Sequence, residues 1–198
     1  PRASILAYNG GPMRVGGWGR VVVDLAGLSV PDQVPLLADH RAELSGIIGH
    51  ARPTIAASGQ LLAEGVVSES TEAGRKIVAL AREGLSWQAS VGLDVTASRP
   101  IKANTPITAN GRTITEAQPY TLITASALKE ITVTAIGADG DTTVSIAAMG
   151  RGKDTAMTFE QWLQDNGFEP DNIGDKQRVA LKAAYDAAHA SPPTDPTQ

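Results

Sequence analysis

The chain has 198 residues, of which 42% are hydrophobic and 19% are charged, as in an ordinary globular protein with a sizeable core. The formal net charge of −4 argues against nucleic acid as a partner, and the lack of cysteine excludes disulfides, thiolate metal sites and a cysteine nucleophile. No apolar run approaches the roughly 20 residues of a membrane span, so no membrane partner is expected. Because the first residue is Pro1 rather than Met, we expect a processed or trimmed chain.

Short segments rich in branched apolar residues predict a mainly β structure over most of the chain. The predicted strands cover residues 20–25, 34–40, 46–57, 60–67, 86–97, 130–136 and 142–148. The pair Ser58-Gly59 predicts a tight turn, and Asn110-Gly111 predicts a further hairpin between residues 106–109 and 112–115. About seven strands are typical of a barrel or a sandwich.

One helix is predicted between these strands, over residues 71–83. Ser70 can cap its first turn, Gly84 can end it, and apolar residues recur on one face at helical spacing. Strands and helices do not alternate along the chain, which favours an α+β fold with a closed or nearly closed sheet and one packed helix.

The sequence changes character near Met149. A polar link at 150–153 precedes a capping-box pair, Thr158 with Gln161, and a second helix is predicted over 175–190. The last eight residues include three prolines, so we expect a disordered tail. The expected organisation is a β-barrel domain over 1–148 and a helical appendage with its tail over 149–198.

The predicted strand at 86–97 carries the candidate nucleophile. Apolar residues alternate there with polar or small ones, so the apolar set should face the core and Ser90 and Gly92 should share the open face. A glycine without a Cβ leaves space in which an extended peptide can approach the Ser90 hydroxyl. Alternation alone, however, favours an ordinary solvated serine. The preceding Gln88 also departs from the Gly-x-Ser-x-Gly pattern of many hydrolases.

A serine hydroxyl needs a base with a pKa near 7, and the chain has three histidines. His189 falls in the predicted terminal helix, and His50 has no acid nearby in sequence. His40 ends an apolar strand, where it could reach a serine on a neighbouring strand, although a half-exposed histidine without a role is the commoner outcome.

A carboxylate should orient the imidazole of such a pair. Glu130 begins a predicted strand whose polar face also holds Thr132 and Thr134, while Asp94 and Glu116 are alternatives. Asp39 precedes His40 directly and would point to the opposite face of a strand.

Three motifs in this order resemble the prohead (capsid maturation) proteases of tailed bacteriophages, which are similar in fold to the herpesvirus assemblins. They are LLADHRAELSGIIGHA around His40, GRKIVALAREGLSWQASVGLDV around Ser90 and LKEITVTAIGAD around Glu130. Within the second motif, SVGL is similar to the family's Ser-Ile-Gly-Phe, with leucine in place of the usual aromatic residue. The resemblance spans roughly residues 20–148 and rests on the order and spacing of the motifs.

The resemblance implies a barrel of the herpesvirus-protease type and a serine endopeptidase without cofactor or metal. It implies that His40 is the general base, Ser90 the nucleophile and Glu130 the orienting acid, a role that a second histidine fills in assemblins. The substrates would be the phage scaffold and major capsid proteins and the chain itself, cleaved inside the prohead in the bacterial cytoplasm. Residues 149–198 would join a scaffold segment or be trimmed by autoproteolysis. Assemblins couple their activity to dimerisation, so the resemblance also implies a possible homodimer.

Two other functions stay open at this point. A non-enzymatic β-barrel scaffold, decoration or assembly module would use Phe159, Trp162 and Phe168 of the appendage to dock on a partner shell, although the commoner role for such aromatic residues would be to pin the tail to the barrel. A metal-dependent hydrolase is disfavoured because His40, His50 and Glu43 have no recognised ligand spacing.

Overall fold

The computed structural model describes residues 1–147 together with Phe159, Arg178 and Lys182. The chain divides into two compact units, Pro1–Met149 and Gly150–Gln198. The strands are β1 (Arg2–Tyr8), β2 (Met13–Val15), β3 (Gly19–Val23), β4 (Leu28–Ser29), β5 (Val34–Ala38), β6 (Ile47–Ile55), β7 (Leu61–Val67), β8 (Gln88–Ile101), β9 (Ile107–Ala109), β10 (Arg112–Ile114), β11 (Tyr120–Thr134) and β12 (Thr143–Ala147), and helix α1 is Glu72–Arg82.

In the second unit, the three described residues are helical, and the cationic groups of Arg178 and Lys182 lie 5.7 and 5.9 Å from the centre of the Phe159 ring. The link predicted at 150–153 and the capping box of Thr158 with Gln161 lie outside the described residues. The same holds for the rest of the helix predicted over 175–190 and for the tail.

Ten strands form one curled sheet, so the prediction of a mainly β fold with a helix is confirmed. The strand order is β12-β1-β7-β6-β5-β11-β3-β2, and β4 and β8 also pair with β11. Trp87, just before β8, forms an isolated antiparallel bridge with Val144 of β12, and the Val144 N–H lies 2.9 Å from the Trp87 carbonyl oxygen. The start of β8 therefore contacts the first strand in this order. No helix in the described part of the chain is long and apolar enough to cross a membrane.

The described residues hold twelve strands, of which nine correspond to the seven predicted strands and the two strands of the predicted hairpin. Those that were not predicted are β1, β2, β4 and the first part of β11. β2 and β4 have three and two residues, too short to show any alternation. β11 begins at Tyr120 rather than Glu130, and threonine, alanine and serine in its first part weaken the apolar pattern.

β11 is the central strand of the sheet and pairs along both of its edges. β3, β4 and β5 lie parallel to it one after another along one edge, while β8 runs antiparallel along the other. Ile131 and Val133 of β11 are buried in the main core, and Ala89 of β8 lies in the same core. The strands that carry the candidate nucleophile and the candidate acid are thus neighbours.

Helix α1 confirms the predicted helix, with a different N-terminal cap. The Thr71 hydroxyl accepts a hydrogen bond from the Gly74 N–H at 3.1 Å, whereas the Ser70 hydroxyl pairs with that of Ser68. Ile77 and Val78 are buried, and the helix packs against β6. These contacts hold α1 against the sheet through its apolar face.

The predicted hairpin at Asn110-Gly111 is also confirmed, as the turn between β9 and β10. Both turn residues have positive φ, 53° and 71°, as a two-residue hairpin turn requires. The Asn110 amide accepts from the Leu25 N–H and donates to the carbonyl oxygens of Gly10 and Val23. One side chain therefore fixes this hairpin against two loops of the main sheet.

Candidate active site

The register between β8 and β11 puts two candidate residues, Ser90 and Glu130, on one face of the sheet together with Gly92 and Thr132. Ser90 lies opposite Thr132, and Gly92 lies opposite Glu130. Side chains that face each other across an antiparallel pair project to the same side. Ala89 points to the other side, into the core, and Val91 packs against that core, as the sequence predicts.

A bulge at Lys129 gives Glu130 this orientation. Leu128 pairs with Leu93 and Glu130 with Gly92, so Lys129 has no partner on β8. In a regular strand Leu128 and Glu130 would share a face, but Leu128 is 3% exposed in the core. The extra residue allows the glutamate to leave that face and join Thr132.

His40 reaches this face from the opposite edge of β11. β5 ends at Ala38, and Asp39 and His40 have φ values of 49° and 57°, in the left-handed region. The strand predicted over 34–40 is therefore two residues too long. The resulting turn is closed by a hydrogen bond from the Arg41 N–H to the Ala38 carbonyl oxygen. It carries His40 over β11, where its backbone N–H donates to the Thr132 hydroxyl oxygen at 3.2 Å.

His40 and Glu130 form the closest pair of candidate groups. Nδ1 of His40 lies 2.9 Å from Oε1 of Glu130, and the side chains are 51% and 14% exposed, respectively. An ionised carboxylate only accepts hydrogen bonds, so Nδ1 carries the proton in this contact. With the proton on Nδ1, a neutral His40 ring has a free lone pair on Nε2, as a general base requires.

The observed position of the Glu130 side chain requires a glycine at residue 92. A Cβ built on Gly92 would lie 2.4 Å from Oε1 and 2.7 Å from Cγ of Glu130. The space predicted to admit a peptide beside Ser90 is thus occupied by the glutamate side chain. The glycine allows the carboxylate to lie flat over β8 and within reach of His40.

Ser90 is half-buried on β8, directly across from Thr132. Among the hydrogen bonds of the described residues, none joins the Ser90 hydroxyl to His40, whose Nδ1 faces Glu130. The structure therefore brings the predicted base and acid together, and places the serine on the same face without direct contact with the base.

The remaining candidates lie elsewhere or are otherwise engaged. Glu116 forms an ion pair with Arg20, Asp94 is exposed further along β8, and His50 is exposed on β6. His189 lies outside the described residues. In the described part of the chain, no three His, Asp or Glu residues are grouped closely enough to hold a metal ion.

The turn after β11 forms a neighbouring feature of the site. Gln88, opposite Thr134, accepts from the Gly137 N–H at 2.7 Å and donates to the Gly140 carbonyl oxygen at 2.9 Å. A serine protease also needs backbone N–H donors near its nucleophile, to bind the oxyanion that forms during the reaction. The Gly137 N–H is already satisfied by Gln88, so it is not free to bind an oxyanion in this structure.

Sequence reasoning missed the roles of Thr132 and Gln88. The Thr132 hydroxyl donates to Oε2 of Glu130 at 2.8 Å while it accepts from the His40 backbone. Alternation did place Thr132 on the polar face with Glu130, but its burial and its two partners depend on how β5 and β11 meet.

No protein-family model matches the sequence, and no curated protein matches it at a significant level.

Proposed function

We propose that this protein is a serine endopeptidase in which His40 is the general base, Glu130 orients it and Ser90 is the nucleophile. The observation that carries the proposal is the 2.9 Å contact between Nδ1 of His40 and Oε1 of Glu130 on the face that Ser90 shares. A carboxylate that fixes the imidazole tautomer beside a serine is the arrangement that activates such a hydroxyl.

The chemistry follows from this arrangement. Nε2 of His40 takes the proton of the Ser90 hydroxyl as its oxygen attacks the scissile carbonyl carbon. The imidazolium then returns a proton to the leaving amine, which leaves an acyl-enzyme for a His40-activated water to hydrolyse. Ser90 and His40 must approach within about 3 Å for the first step, and such contacts commonly tighten when substrate binds. A half-exposed ring on a turn has room for that movement.

The strand order supports a barrel of the herpesvirus-protease type. Seven strands follow one another as neighbours: β12, β1, β7, β6, β5, β11 and β8. The bridge between Trp87 and Val144 joins the last to the first. We infer that these seven strands are the barrel, and that β2, β3, β4 and the β9–β10 hairpin are additions to it.

The order His40, Ser90, Glu130 and the three motifs around them support the prohead-protease class. On this proposal the substrates are phage scaffold and major capsid proteins and the chain itself, and cleavage takes place inside the prohead in the host cytoplasm. A homodimer belongs to the same proposal.

A fluorophosphonate probe tests the proposal, because it phosphonylates activated serines: the serine oxygen bonds to phosphorus as fluoride leaves. We expect labelling of Ser90, located by mass spectrometry of the digested protein, and no labelling of Ser90→Ala. His40→Ala should slow labelling by at least about 100-fold, since the base is lost.

Ser98→Ala is the matched control, because Ser98 is an exposed serine on the same strand. It should label like the unmodified protein. Absence of labelling in the unmodified protein, or equal labelling of Ser90→Ala, would contradict the proposal of a serine protease and favour a non-enzymatic assembly module.

A further inference from the structure

We infer that Thr132 is a positioning residue that holds the His40–Glu130 pair in its reactive arrangement through a single hydroxyl group. The inference rests on the proposed function and extends it to a residue outside the predicted triad. Thr132 is not itself expected to touch substrate, because it is completely buried.

The Thr132 hydroxyl contacts both members of the pair at once. It lies 2.8 Å from Oε2 of Glu130, the oxygen that His40 does not use, and 3.2 Å from the backbone N–H of His40. A hydroxyl has one proton and two lone pairs. Because a carboxylate accepts and an N–H donates, the proton points to Glu130 and a lone pair points to His40.

These two bonds fix different degrees of freedom. The bond to Oε2 sets the rotation of the Glu130 carboxylate, so that Oε1 faces the imidazole. The bond from the His40 N–H anchors a turn whose two residues, Asp39 and His40, have unfavourable positive φ. Without it the turn loses one of its links to β11.

Thr132 is well suited to this role because it cannot easily move. Its backbone pairs with β8 on one side, opposite Ser90, and with β5 on the other, opposite Leu37. A β-branched side chain has restricted χ1, and full burial restricts it further. The hydroxyl therefore has a fixed position between the nucleophile strand and the base.

Thr132→Val removes the hydroxyl and keeps the shape. We expect the maximal fluorophosphonate labelling rate at Ser90 to fall by about 10- to 100-fold, with the probe concentration at half-maximal rate unchanged, because alignment rather than binding is lost. Thr132→Ser keeps the hydroxyl, so its maximal labelling rate should stay within about threefold of that of the unmodified protein. This change is small compared with the one expected when alignment is lost.

Thr134→Val is the matched control. Thr134 lies on the same strand, two residues along, and its hydroxyl contacts the backbone of Ile136 rather than His40 or Glu130. It should label at the unmodified rate. If Thr132→Val does not fold, Thr132→Cys carries the same expectation, because a thiol is only a weak donor.

A second readout does not depend on catalysis. In the Ser90→Ala protein, ¹⁵N shifts of the His40 ring should report the Nδ1–H tautomer, and addition of Thr132→Val should raise the share of Nε2–H. This measurement stands even if Ser90 is never labelled, so failure of the protease and failure of the positioning role can be told apart.

Two results would overturn the positioning role. One is an unchanged tautomer and labelling rate in Thr132→Val. The other is an equal loss of rate in Thr132→Ser and Thr132→Val, which would assign the effect to packing of the methyl group rather than to the hydroxyl.

Discussion

At the scale of single residues, the absence of a side chain at Gly92 allows the Glu130 side chain to reach His40. The carboxylate lies over the glycine and within 2.9 Å of His40, in a place that any Cβ would enter. The alternation pattern indicated that Gly92 lies beside Ser90, but not which group fills its open side. That depends on the bulge at Lys129, which no local pattern announces.

Gly92→Ala should therefore disconnect the proposed acid from the base. The new methyl group displaces the Glu130 side chain, so we expect slower fluorophosphonate labelling at Ser90, by about tenfold or more. We expect the free energy of unfolding to change by less than about 1 kcal/mol, because the atoms nearest to the new methyl group all belong to the Glu130 side chain, which can turn away. Labelling kinetics and urea denaturation measure the two effects.

Gly16→Ala provides the control for this change. A Cβ there meets nothing within 4 Å, so labelling and stability should stay close to those of the unmodified protein. Full labelling activity in Gly92→Ala would show that the Glu130 carboxylate need not lie over residue 92.

At the scale of elements, helix α1 was predicted from apolar spacing and end signals, and its cap was displaced by one residue. Ser70 and Thr71 are both good N-cap residues, and local sequence does not separate them. In the structure Thr71 caps Gly74, while Ser70 bonds to Ser68. Which of them starts the helix depends on how the chain leaves β7.

Thr71→Ala should destabilise the protein by about 1 kcal/mol, because the Gly74 N–H loses its capping partner. Ser70→Ala is the matched control and should change the free energy of unfolding by less than about 0.5 kcal/mol, as an exposed substitution. Urea denaturation followed by circular dichroism measures both. An equal loss in the two variants would contradict the assignment of the cap to Thr71.

Strands were predictable where alternation was long and bounded by turn residues. β6, β7 and β8 were found within a few residues of their ends, and the β9–β10 hairpin was found from its Asn-Gly turn. The pairing of β11 with three parallel strands was not foreseen, since parallel neighbours are distant in sequence and leave no local signal.

The meeting of His40 with Glu130 across 90 residues is a consequence of that same pairing. The residue types could be predicted from the chemistry that a serine needs. Their contact could not be derived from the alternation pattern, because it requires β5 and β8 to lie on opposite edges of one strand.

At the scale of the whole molecule, Tyr8 links the end of β1 to the turn that follows it and to β3. It is 1% exposed, its hydroxyl donates to the Gly11 carbonyl oxygen at 2.5 Å, and it accepts from the Val23 N–H at 3.0 Å. Burial raises the pKa of this phenol far above its ordinary value of 10, against a smaller opposing effect of the Val23 hydrogen bond.

This pKa difference should make the fold sensitive to alkali. The folded state holds the Tyr8 proton more tightly than the unfolded state does, so the stabilisation is complete below about pH 10 and declines as the pH rises above it. We expect the free energy of unfolding, from urea titrations between pH 8 and 11, to fall more steeply in the unmodified protein than in Tyr8→Phe.

Tyr8→Phe should be less stable at pH 7 by about 1–3 kcal/mol, because the Val23 N–H and the Gly11 carbonyl lose their partner. A weaker alkaline decline should remain from Tyr120, whose pKa burial also raises. Parallel curves for the two proteins above pH 9 would contradict the assignment to Tyr8.

The unpaired Lys129 has a consequence for how the gene for such a protein can change in length. Side chains alternate in one phase up to Leu128, from Ser126 onward, and in the opposite phase from Glu130 onward, with Lys129 between the two stretches. A codon lost at 129 would leave both phases intact. A codon lost at 131 would turn the side chains after it to the opposite face of the sheet, so that core residues would face the candidate site and site residues would face the core. We therefore expect a one-residue deletion at the bulge to leave the protein folded, and the same deletion two positions later to unfold it.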